Sequence, residues 1–96
     1  MLSDNPGDSF LQHALALEYI KCEEDERARE LFQQLLQQDE NYIGSYYHLG
    51  KLLERNDKMA EAKKVYERGM LKAKEAGDEH TYNELRTACE DLDFNL

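Results

Sequence analysis

The sequence predicts an all-α fold of five helices paired as antiparallel hairpins, and three observations carry that prediction. Apolar residues recur three, four and seven positions apart along most of the chain, which is the spacing of one helix face. The single proline, Pro6, leaves everything after it free to be helical. Val and Thr are scarce and no run alternates apolar with polar, so strands are not expected. Ninety-six residues suit one domain, 1–96, with one modest core.

Met1–Gly7 reads as a frayed start. Asp8 or Ser9 caps a first helix over about Ser9–Lys21. Leu15, Ala16 and Tyr19 form one of its faces; Phe10, Leu17 and Ile20 form a neighbouring one, which requires a partner. Cys22–Asp25 is a polar turn. The second helix, from about Glu24 to Gln38, buries Ala28, Leu31, Phe32, Leu35 and Leu36. After the turn Asp39-Glu40-Asn41, a third helix carries Tyr46, Leu49, Gly50 and Leu53 on one face. Asn56-Asp57 ends it, and Asp57 is the expected N-cap of a fourth helix, striped by Ala62, Tyr66, Gly69 and Ala73. Gly77 suits the position just past a helix end, and Asp78 suits the next N-cap. The fifth helix, over about Glu79–Leu92, buries Tyr82, Leu85, Ala88 or Cys89, and Leu92. Its other side, with Glu79, Asn83, Glu84, Arg86 and Glu90, is polar. Phe94 and Leu96 are two apolar residues on an acidic tail.

A formal charge of −9 opposes phosphate backbones and anionic membrane surfaces, so neither nucleic acid nor membrane is an expected partner. Basic partners are favoured, although the same charge also serves solubility. Cys22 and Cys89 form no CxxC, which fits a reduced, cytoplasmic chain, and both read as small packing residues. Residues 1–9 lack a signal pattern, and no apolar run approaches membrane-spanning length. His13, His48 and His80 fall on different helices without an HxxxH or HxxE pair, so no metal is expected. Glu23–Glu26 and Glu90-Asp91 read as solvated turns and helix ends. No phosphate loop or nucleophile motif occurs, so neither a cofactor nor an enzyme is expected.

A shift of 34 residues takes Leu15 to Leu49, Ala16 to Gly50, Tyr19 to Leu53, Ala28 to Ala62, Phe32 to Tyr66 and Leu35 to Gly69. Each pair keeps size class or apolar character. The small residues at Ala16/Gly50 and Ala28/Ala62 let the helix backbones of each hairpin approach closely.

On these residues the chain resembles the tetratricopeptide repeat family. One repeat lies at about 9–42, a second at about 43–76, and a capping helix at about 78–92. In the second repeat Leu49-Gly50, Leu53, Ala62 and Tyr66 fit the family pattern, with Tyr46 in place of its frequent tryptophan. The first repeat matches at Leu15, Ala16, Tyr19, Ala28 and Phe32 but has Gln12 at the tryptophan position. Glu40 and Lys74 stand where a proline often ends a repeat.

The resemblance implies a right-handed α-α superhelix of stacked antiparallel hairpins, with a concave groove that binds a peptide or protein segment without catalysis. The groove residues it implies are Phe10, His13, Leu17 and Ile20 from the first helix, and Tyr47, His48, Lys51 and Glu54, with Gly44, from the third. Asp78, Thr81 and Leu85 are expected to continue that face. His13, Leu17 and His48 replace cations that a well-known subgroup uses to grip a peptide carboxylate, so an apolar or mixed peptide is expected instead. Phe10 and Leu17 equally suit packing against the chain's own ends. The alternative is a weak homo-oligomer, with the groove or first helix covered by the Phe94/Leu96 tail or by a second copy.

Overall fold

A computed structural model of the chain describes residues 8–95, with side chains through residue 93. The frayed start expected over Met1–Gly7, and the apolar side chains of Phe94 and Leu96, lie outside the described residues. The fold is all-α. Its helices are α1 (Ser9–Lys21), α2 (Asp25–Gln38), α3 (Gly44–Arg55), α4 (Met59–Ala76) and α5 (Glu79–Asn95). Among the described residues there is no strand, and no helix is long and apolar enough to cross a membrane. The chain divides between Tyr42 and Ile43 into two compact units, α1–α2 and α3–α5.

In the first unit the Asp8 carboxylate accepts from the Leu11 N–H at 3.0 Å, capping α1 as its sequence requires. The Ser9 hydroxyl donates to the Asp39 carboxylate at 2.7 Å, which ties the start of α1 to the residue that ends α2. Ala16, Ala28, Phe32 and Leu35 are fully buried, as the repeat pattern requires. Other expectations fail here. The buried line of α1 is Ser9, Gln12 and Ala16, so Leu15 is turned aside and left 37% exposed, with Leu11 one turn before it at 43%. Leu31 is only half-buried, and Cys22 is exposed because it is the residue that caps α1 rather than one that packs.

In the second unit α3 and α4 interlock through reciprocal contacts of tyrosine on glycine. A Cβ at Gly50 would lie 2.2 Å from the ring of Tyr66, and one at Gly69 would lie 2.6 Å from the Cβ of Tyr46. Only a glycine admits each neighbouring ring at this distance. Leu85 of α5 reaches the same Gly69, and with Ala88, Cys89 and Leu92 it forms the buried side of that helix. Tyr82, expected to be buried with them, is half-buried. The α5 backbone continues as helix through Asn95, three residues past its expected end at Leu92.

Three helix ends share one construction. Glu23, Asp57 and Gly77 have φ of 59°, 64° and 73°, and the N–H that follows each one donates back to the carbonyl of Tyr19, Leu53 or Ala73 at 2.8–2.9 Å. This corrects the reading of Asp57 as an N-cap: it closes α3 in the left-handed region, and Lys58 precedes α4 without a side-chain cap. Asp78 behaves as expected, its carboxylate accepting from the Thr81 N–H at 3.1 Å. That bond, made to the charged form, holds the Asp78 carboxyl below its usual range.

Candidate functional site

Tyr47 and Lys51 are one helical turn apart on α3, off the stripe that faces α4. On α5, His80, Glu84, Thr87 and Asp91 follow one another at intervals of four, three and four, so they too share a face. The burial of Leu85, Ala88, Cys89 and Leu92 fixes the rotation of α5 and turns that polar face toward the α3 pair. Between them lies a cleft of about 380 Å³, lined by both sets together with Asn83 and Ala88.

The side chains of this cleft are linked. The Lys51 ammonium lies 5.6 Å from the centre of the Tyr47 ring and 3.8 Å from the Glu54 carboxylate. Glu54 also accepts from the hydroxyl of Tyr66, whose ring is buried against Gly50. Burial first, and the bond to Glu54 second, push the Tyr66 phenol far above its usual range, so the hydroxyl stays a donor. On the opposite wall His80 Nε2 lies 3.5 Å from Glu84. The His48 ring meets the edge of Tyr47 at 5.8 Å and is half-buried; that burial lowers its pKa, against the opposing pull of Glu84.

The expected groove residues therefore have different fates. Tyr47 and Lys51 line the cleft, whereas His48 supports Tyr47 and Glu54 is engaged by Tyr66 and Lys51. In the first unit Phe10 is 67% exposed, and Leu17 and Ile20 are half-buried. His13 stands between two aromatic rings of its own hairpin, 5.7 Å from Phe32 and 5.4 Å from Tyr42. Gly44 is exposed. Of the expected continuation through Asp78, Thr81 and Leu85, Leu85 is fully buried, which corrects that residue, and Asp78 and Thr81 form the cap of α5 outside the cleft lining. On α5 the cleft is lined by His80, Asn83, Glu84, Thr87 and Asp91 with Ala88. A signal for them was present: Leu85, Ala88, Cys89 and Leu92 repeat the spacing of Tyr46, Leu49, Gly50 and Leu53, which sets the rotation of α5.

Comparison with known proteins gives a consistent result. Residues 43–70 match a model described as tetratricopeptide repeat. The chain is 40% identical to the tetratricopeptide repeat domain protein from Salinibacter ruber, covering 91% of this chain and 88% of that one, and its solution structure superposes with a TM-score of 0.87. Protein BPP2914 from Bordetella parapertussis is 25% identical over 99% of this chain and 83% of its own, with a TM-score of 0.84. The TPR repeat-containing protein PA0015 of Pseudomonas aeruginosa is 28% identical over 97% of this chain and 89% of its own length.

Proposed function

The chain belongs to the tetratricopeptide repeat family, whose members are generally non-catalytic protein-interaction modules, and on that premise we propose that it binds a peptide or protein segment along the α3–α5 cleft. The observation that carries this reading is the cleft itself, in which Tyr47 and Lys51 stand opposite the polar face of α5. A half-buried aromatic beside placed polar groups is the composition of an anchoring pocket. Phe10, His13, Leu17 and Ile20 are the corresponding face of the first hairpin, and they are proposed as additional contacts. The test is a titration of the isotope-labelled chain with candidate peptides, followed by amide shifts. Shifts at Tyr47, Lys51, Asn83 and Thr87 that Tyr47→Ala abolishes support the proposal. Shifts confined to α2 and the turns refute it.

A second reading is self-association through α1, favoured by the exposure of Phe10, Leu11 and Leu15 on one helix. Sedimentation of the chain beside a Leu11→Asp/Leu15→Asp variant separates the two. A concentration-dependent dimer that the variant abolishes supports this reading, and a monomer throughout removes it.

A further inference from the structure

We propose that the α3–α5 cleft selects a segment bearing a basic side chain, arginine or lysine, whose cation lies against the α5 wall between Glu84 and Asp91. The proposal rests on the cleft being the binding site. Two observations support it: the composition of the α5 wall and the charge of the cleft. The α5 wall is a continuous polar stripe in which Glu84 and Asp91 flank Thr87, with Asn83 beside them. A hydroxyl between two carboxylates, with an amide oxygen beside them, supplies acceptors around a cation, and a guanidinium needs several of them at once.

Charge complementarity points the same way. The one lysine of the cleft lies within 3.8 Å of Glu54, outside the lining, and is offset there. His48 behind Tyr47 is disfavoured as a cation by its burial, so it adds little positive charge near neutral pH. Glu84, which lies 3.5 Å from His80, and Asp91 are the two carboxylates lining the cleft of a chain whose formal charge is −9. An acidic segment meets repulsion from both the wall and the whole molecule. The polar stripe from His80 to Asp91 is about 16 Å long at the helical rise per residue, enough for about five residues of extended chain.

The experiment uses the full chain and three pools of short capped peptides, identical in degenerate composition except for a central Arg, Met or Glu. Affinity is read by fluorescence anisotropy, and location by amide shifts at Tyr47, Asn83 and Thr87. The Arg pool is expected to bind roughly three- to tenfold more tightly than the Met pool, the scale of one or two partly exposed charge contacts. The Glu pool binds least, and the Arg advantage shrinks as salt rises. Glu84→Gln with Asp91→Asn removes the advantage, whereas Glu79→Gln with Glu90→Gln, which removes the same charge from α5 outside the cleft, keeps it. Helical circular dichroism identifies any variant that fails to fold, and each single substitution then replaces the pair. Met or Glu pools that match Arg at the same amides overturn the charge selection and leave the cleft as a binding site. An Arg advantage that survives loss of both carboxylates also overturns it. If no pool shifts the α3–α5 amides, the cleft reading falls as well.

Discussion

Gly50 and Gly69 are where single atoms decide the packing of the second unit. Alanine at either position gains about 1 kcal/mol of helix propensity, yet it places a methyl group where a tyrosine already stands. At Gly69 the obstacle is the Cβ of Tyr46, which moves only with the α3 backbone, so the two helices must separate. At Gly50 it is the far end of the Tyr66 ring, which is fully buried and whose hydroxyl donates to Glu54. Overpacking on this scale costs about 1–3 kcal/mol, and the rigidity of both neighbours places these sites at the upper end. Gly69→Ala and Gly50→Ala are therefore expected to lower the urea midpoint at unchanged slope, Gly69→Ala the more. A midpoint that stays or rises would show that the rings yield freely. His48 gives the matching prediction for pH. Burial lowers its pKa below 6.5, so as pH falls the unfolded chain takes up the proton before the native one does. The stability His48 contributes is fully present above that ordinary value and is lost as pH falls through the lowered native one. Glu84 opposes the shift, so Glu84→Gln steepens the loss and His48→Gln flattens it. Urea midpoints measured across this range, each variant against the parent chain, check both signs.

The three turns with positive φ show what a helix end requires and what the sequence supplies. Glu23 and Asp57 are 34 residues apart, one repeat length, and both occupy the left-handed position that glycine fills at Gly77. A side chain there strains the backbone by about 1–2 kcal/mol, less for Asp than for Glu. Glycine removes that strain but enlarges the freedom of the unfolded chain. Glu23→Gly is expected to raise stability by about 0.5–1 kcal/mol and Asp57→Gly by less, measured by thermal and urea unfolding. A loss at both sites would mean that the unfolded-state term is the larger. These turns also mark how far the sequence could be read. The ends of α1 and α2, the cap at Asp78 and the stop at Gly77 were legible because each depends on residues adjacent in the chain. The buried stripe of α4 was legible because four residues at helical spacing leave one choice of face. Asp57 was misread because the same residue suits an N-cap and a left-handed C-terminal position, and only the backbone bonds distinguish them. For α1 the difficulty was different. It is apolar around most of its circumference, so no stripe singles out Ser9, Gln12 and Ala16, and two of those three are polar. Tyr47 and Lys51, named by their position in the repeat, line the cleft, whereas Asp78, Thr81 and Leu85, named with them, do not. The resemblance extended the groove to Leu85, whose own spacing with Ala88, Cys89 and Leu92 assigns it to the core.

For the whole molecule, the two units differ in how much apolar side chain they bury. The second has three helices, and its fully or nearly buried side chains include Tyr46, Leu49, Leu53, Tyr66, Leu85 and Leu92. The first is a single hairpin whose buried large side chains are Phe32, Leu35 and Leu36. Its α1 contributes Ser9, Gln12 and Ala16 to the interior, and Phe10, Leu11 and Leu15 stay exposed. Chains of about 40 residues or fewer rarely fold without a disulfide, a metal or a partner, and a lone helical hairpin of a repeat array buries too little of its own surface. Cys22 and Cys89 are both free thiols, so no cross-link is available to either unit. The fragment 43–96 is therefore expected to keep helical circular dichroism and to unfold in one cooperative transition, whereas the fragment 1–42 is expected to be largely unfolded by the same measurement. Leu85→Ala, which removes a fully buried side chain from α5, should cost the 43–96 fragment about 2–5 kcal/mol, a large share of the roughly 3–8 kcal/mol expected for a chain of its length. A first fragment as helical as its share of the intact chain would reverse this ranking. It would mean that the Ser9–Asp39 bond and the edge-on and tilted ring contacts of His13 with Phe32 and Tyr42 are enough to hold one hairpin closed.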